Sequence, residues 1–102
     1  MPYFDHQIRA CADAIRARMP VTAIWLFGSS ARGGATEDSD IDLLVVLPDG
    51  HGIARPCFEA KLAIARAHTG VPTDVVVITE EEAAAPSSPL IEDALREGRR
   101  VA

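Results

Sequence analysis

Positive charge, cysteine and long apolar runs are all scarce in this chain of 102 residues. Ten Lys and Arg stand against fifteen Asp and Glu, a net charge of −5. A broad basic surface able to grip nucleic acid is therefore not expected. No apolar run approaches the roughly 20 residues of a membrane span, so no membrane partner is expected either. Cys11 and Cys57 lie far apart without metal-site spacing, and His6, His51 and His68 form no metal pattern. The first residues, Met1-Pro2-Tyr3-Phe4-Asp5-His6, lack the basic and apolar regions of a signal peptide. The expectation is a cytoplasmic protein with reduced thiols. Repeats, linkers and low-complexity stretches are missing too. What is present is a globular composition, 48% hydrophobic and 25% charged, at a length that allows one domain over residues 1–102.

Hydrophobic spacing divides the chain into alternating elements. Phe4, Ile8, Cys11, Ile15 and Met19 recur at three- and four-residue steps, which predicts a helix over 3–18 ended by Pro20. The apolar run over 22–27 reads as a buried strand with Trp25 in the core, and a short helix or tight loop is expected over 29–34. A second strand is expected over 40–47. A second long helix is expected over 55–68, with Pro56 in its first turn, Phe58, Leu62 and Ala65 in its buried stripe beside Ala63 and Ile64, and Gly70 as its stop. Valines mark a third strand over 73–79. A helical turn over 80–85, a last helix over 89–97 and a stop at Gly98 complete the pattern. The order predicts an α+β sandwich, a small sheet flanked by helices.

The chemistry concentrates in one segment. The first strand ends at Gly28-Ser29, a turn that offers backbone N–H groups to a phosphate. The second strand opens with Asp40 and Asp42, which share a face because strand side chains alternate. Two carboxylates on one face repel unless a cation sits between them, and such oxygen pairs suit Mg²⁺ bound together with substrate phosphates. For turn and carboxylates to meet, the first two strands must run antiparallel. The third strand follows a helical crossover, the connection parallel neighbours need. Asp74 then lands beside Asp42 in a mixed sheet of order 1-2-3, with the functional groups at one end.

These residues resemble the nucleotidyltransferase superfamily that includes the DNA polymerase β palm. Its mark is a Gly-Ser turn, about ten residues, an Asp-x-Asp strand and a third carboxylate on a later strand. The string Gly28-Ser29-Ser30-Ala31-Arg32-Gly33 with Ser39-Asp40-Ile41-Asp42-Leu43 is similar to the minimal nucleotidyltransferase branch, as is the tail from Pro89 to Gly98, where in that branch a helix ends in Glu-Gly before a final short strand. The resemblance implies a polymerase β-like nucleotidyltransferase fold, with ATP as substrate and two Mg²⁺ ions when nucleotide is bound. It implies Asp40, Asp42 and Asp74 as metal-holding catalytic residues, and Gly28, Ser29, Arg32 and Ser39 at the nucleotide. Members of the branch are often paired with an HEPN-domain RNase toxin. That implies an antitoxin that moves AMP from ATP to a tyrosine hydroxyl of the toxin.

Plainer readings stand beside these. Asp40 and Asp42 also read as solvated residues at a strand start, though two acids flanking Ile41 in an apolar strand fit a site better; Asp74 also reads as a turn acid, Ser29 as a helix cap and Arg32 as half of a surface pair. Glu37 and Asp38 read as loop charges. Glu80-Glu81-Glu82 reads as a solvated helix start, and Arg96, Arg99 and Arg100 as a solvated helix end. Two other functions compete: a nucleotidyltransferase subunit for a small-molecule or nucleic-acid acceptor, and a non-catalytic antitoxin that acts by binding alone.

Overall fold

The computed structural model describes residues 4–28, 40–50 and 52–102. Its elements run α1 (Asp5–Arg16), β1 (Ala23–Phe27), β2 (Ile41–Leu47), α2 (Ala54–Ala67), β3 (Thr73–Thr79), α3 (Glu80–Ala84), α4 (Pro89–Glu97) and β4 (Arg99–Arg100). Helix α1 starts later than its periodicity predicts because Phe4 sits in the left-handed region at φ 62° and cannot join it. Ile8, Cys11, Ala12 and Ile15 form its buried stripe. Asp5 in the first turn and Arg16 in the last complement its dipole. Tyr3 lies outside the described residues. Among the described residues, no helix is long and apolar enough to cross a membrane.

β1 pairs antiparallel with β2, and β2 pairs parallel with β3, as the sequence predicts. Among the described residues the sheet nevertheless has four strands, in the order β3-β2-β1-β4. The expected order 1-2-3 is thus extended by β4, which pairs antiparallel with β1 opposite Trp25 and Leu26. Two exposed arginines carry no alternation of buried and exposed positions, so this strand leaves no pattern to read. Backbone bonds lock it in place. Val101 N–H donates to the Ile24 carbonyl at 2.8 Å, and Ile24 N–H donates to that of Ala102 at 3.1 Å.

Strand alternation splits the core in two. Ile24, Leu26, Ile41, Leu43, Val45, Leu47, Val75 and Val77 meet α1 and α2 on one face. Ala23, Leu44, Val46 and Ile78 meet Ala94 of α4 on the other, where Trp25, Phe27, Val76, Ile91 and Leu95 are partly buried. Trp25, expected in the core, is only half-buried.

Helix α2 corrects a second expectation. Phe58 is 64% exposed, Leu62 only half-buried and Ala65 exposed. The contact stripe is Ala60 and Ala63, flanked by Cys57 and Ile64. Small side chains let the helix sit close to the sheet, and that rotation turns Phe58 outward. The left-handed residue that ends α2 is His68, at φ 49°, two positions before the expected Gly70. Arg18 ties the end of α1 to α2 through a 2.7 Å ion pair with Glu59.

Candidate active site

Three elements converge where β1 ends and β2 and β3 begin. In the sheet register Phe27 lies opposite Asp42, and Asp42 lies opposite Asp74. Both aspartates project from the face that α4 covers, since alternation puts them in line with Leu44 and Val76. Asp42 is half-buried and Asp74 exposed. Asp40, just before β2, is exposed and shares their face by the same alternation.

Gly28 turns the chain away from β1 at φ +76°, a conformation that L side chains rarely adopt. A Cβ placed there would come within 2.5 Å of Asp42 Oδ2. The glycine backbone therefore packs directly against the carboxylate, and no other residue leaves that space. Ser29, Arg32 and Ser39, the other nucleotide contacts expected from sequence, lie outside the described residues, as does the short helix or loop expected over 29–34.

The electrostatics are those of crowded like charges. Burial pushes the Asp42 carboxyl above its ordinary pKa, and the negative charges of Asp74 and Asp40 push it further the same way. A cation would relieve that repulsion, and the ligands on offer are hard carboxylate oxygens suited to Mg²⁺. Among the described residues, no three His, Cys, Asp or Glu side chains converge closely enough to cage a metal. Mg²⁺ needs no such cage, because it is commonly held by one or two carboxylates together with substrate phosphates and water. The pair formed by Asp42 and Asp74, with Asp40 at its rim, fits a cation that arrives with a nucleotide.

Around the pair opens a cleft of about 470 Å³. Phe27, Val76 and Ala94 supply apolar surface, and Leu90, Asp93, Glu97 and Gly98 bring in α4. Sequence reasoning missed this α4 wall. Leu90, Asp93, Ala94 and Glu97 are spaced as one helical stripe, and two acids within it are the signal that was there to find. Asp93 holds Arg96 at 2.6 Å on the surface. The wall is placed by local chemistry at both ends of the helix. The Ser88 hydroxyl accepts from Ile91 N–H at 3.3 Å, with Pro89 opening the first turn. At the other end, a Cβ on Gly98 would strike the Ala94 carbonyl and lie 2.8 Å from the Leu26 carbonyl. Glycine there lets α4 close onto β1.

Residues 8–101 match the nucleotidyltransferase domain family. No curated protein sequence matches the chain. Among solved structures, a protein assigned as a minimal nucleotidyltransferase is 34% identical, with 91% of each chain covered and a TM-score of 0.62. A Sulfolobus solfataricus protein assigned as a nucleotidyltransferase shares the fold at 22% identity and a TM-score of 0.59, covering 98% of this chain and 86% of that one. With the carboxylate pair, the glycine turn and the sheet order already in place, these matches lead to one conclusion: the chain belongs to the nucleotidyltransferase domain family.

Proposed function

We propose that this chain is an adenylyltransferase that moves AMP from ATP to a hydroxyl group, the acceptor being a tyrosine of a partner HEPN RNase toxin, so that it acts as an antitoxin. The observation that carries the chemistry is the placement of Asp42 beside Asp74, with the Gly28 backbone against the Asp42 carboxylate. The acceptor oxygen forms a bond to the α-phosphorus. The bond to the bridging oxygen of the β-phosphate breaks, and pyrophosphate leaves with its electron pair. Asp42 and Asp40 would hold the divalent cation, and Asp74 would complete a second metal site that favours the deprotonated acceptor, whose proton passes to solvent. When bound, the cation neutralises charge on the phosphoryl oxygens and on the leaving group. Gly28 lets the backbone approach the phosphates, and the resemblance assigns Ser29, Arg32 and Ser39, outside the described residues, to the nucleotide. Positioning and charge stabilisation dominate this kind of transfer, so the scaffold's task is to hold these groups still.

Among the described residues the cleft is open, and its walls come from one small sheet and one helix. The acceptor surface is therefore supplied by the partner, which is the basis for a macromolecular acceptor. The test is the intact mass of the protein encoded beside this chain after incubation with the chain, Mg²⁺ and ATP. Mass gains in AMP-sized steps, absent with Asp40→Ala/Asp42→Ala, are expected. No gain while the neighbour's activity stays suppressed would replace transfer with inhibition by binding.

A further inference from the structure

The outer edge of β3 has no strand partner among the described residues. Its direction of bonding can be read from the ladder. Ile41 N–H donates to the Pro72 carbonyl at 2.9 Å, and Ile41 is in register with Thr73. In a strand, the N–H and C=O of one residue point to the same side and those of its neighbours to the other. Asp74, Val76 and Ile78 therefore bond inward to β2, while Val75 and Val77 present their backbone groups at the open edge. Such edges are usually guarded by lysine, proline or a bulge. The run Thr73-Asp74-Val75-Val76-Val77-Ile78-Thr79 has no Lys or Pro and a single charge, and it pairs with β2 without interruption.

What covers the edge is indicated by the strand's own pattern. Read from either end, Thr73-Asp74-Val75-Val76-Val77-Ile78-Thr79 is close to a palindrome. A two-fold interface requires a patch that complements itself. We propose that two copies of this chain pair antiparallel through β3, about a two-fold axis at Val76, joining their four-stranded sheets into one. In that register Val75 faces Val77 of the partner subunit, and Val77 faces Val75 of the partner subunit. Both are outward-bonding residues, so together they exchange about four hydrogen bonds. Thr73 lies opposite Thr79 of the partner subunit, a favourable cross-strand pair. Asp74 lies opposite Ile78 of the partner subunit, so the two Asp74 carboxylates never meet. A groove of about 310 Å³ follows the same edge, lined by Val76, Val77, Ile78, Ile91 and the 48% exposed Ile53, with Thr79 and Glu82 also on its wall. It gives the joined edges an apolar flank. Directly opposed residues share a sheet face, so both nucleotide clefts open on one side of the assembly.

The chain's mass in solution and its amide exchange, compared between dilute and concentrated samples, test this. The concentrated protein is expected at twice its 10.9 kDa mass, and the dilute protein at the single mass. The Val75 and Val77 amides are expected to slow on the order of tenfold or more on concentration, while Val76, bonded to β2, stays equally protected in both. Val77→Pro removes an outward N–H and leaves the β2 ladder intact, so it is expected to stay monomeric. If that variant fails to fold, the wild-type amide pattern decides alone. A monomer at every concentration would overturn the proposal, as would a dimer whose Val75 and Val77 amides exchange as fast as in dilute solution.

Discussion

The two faces of the sheet are made from the same strands and treated in opposite ways. On the face under α1 and α2, Ile24, Leu26, Ile41, Leu43 and Val45 are completely buried. On the other face burial holds at one end only, at Ala23, Leu44, Val46 and Ile78, and gives way to half-covered Phe27, Asp42 and Val76 and exposed Asp74 at the other. One face is built to hold the fold. Among the described residues the other is left partly uncovered, and the carboxylates occupy the gap. Adjacent residues show the division most sharply: Leu43 and Asp42 are neighbours in sequence, one sealed in the core and the other in the cleft.

The largest expected effect breaks the open face. Asp42→Asn keeps the shape of the side chain and removes its charge. It is expected to lower the rate of AMP transfer on the order of 10³-fold, about 4 kcal/mol of transition-state stabilisation. The folded state should be retained, as a thermal melt will check. A variant with near wild-type transfer would separate the cleft from the chemistry. Leu43→Ala breaks the other face. A fully buried leucine reduced to alanine is expected to cost roughly 2–5 kcal/mol in denaturant unfolding. The surviving folded fraction should keep its affinity for nucleotide. Gly98→Ala probes the hinge between the faces. Its methyl would press into the Ala94 and Leu26 carbonyls, so about 1–3 kcal/mol of destabilisation is expected. Weaker acceptor transfer should accompany it as α4 lifts from β1.

The smallest effect sharpens the contrast through pH. The pKa of Asp42 is raised in the folded state, by burial and by Asp74 and Asp40. Folding therefore favours its protonated form. Stability is lost as pH rises from the ordinary carboxylate range through the raised value, and the cost is complete above it. Asp42→Asn removes that cost. Its Tm without metal is expected to exceed that of wild type near neutral pH, with the difference vanishing in acid where Asp42 is protonated in both states. A Tm difference independent of pH would contradict the like-charge account.

The sequence reading succeeded where periodicity and punctuation agreed. Strand β3 was legible as a valine run, and α4 was framed by Pro89 and Gly98. The meeting of Asp42 with Asp74 followed from connectivity alone: an antiparallel pair, then a helical crossover to a parallel one. Rotation and packing distance were not legible. Helical spacing places Phe58 and Ala60 on a common helix but does not say which flank meets the sheet, and the alanines won because they allow closer approach. For the same reason Asp93 and Glu97 carried no assignment from the sequence, and only the packing of α4 against β1 makes them a cleft wall. Strand β4 left no side-chain pattern, because its partners are backbone groups, and only the resemblance of the Glu97-Gly98 tail implied a short strand there.

The most direct test of the central claim, that the Asp42 and Asp74 pair seats a nucleotide with its divalent cation, is calorimetric titration of ATP into the chain with and without Mg²⁺. Binding is expected for the wild-type chain only when Mg²⁺ is present, and it should be lost in Asp42→Asn and in Asp74→Asn. Equal binding by the wild type and both variants, or by the wild type without Mg²⁺, would contradict the account.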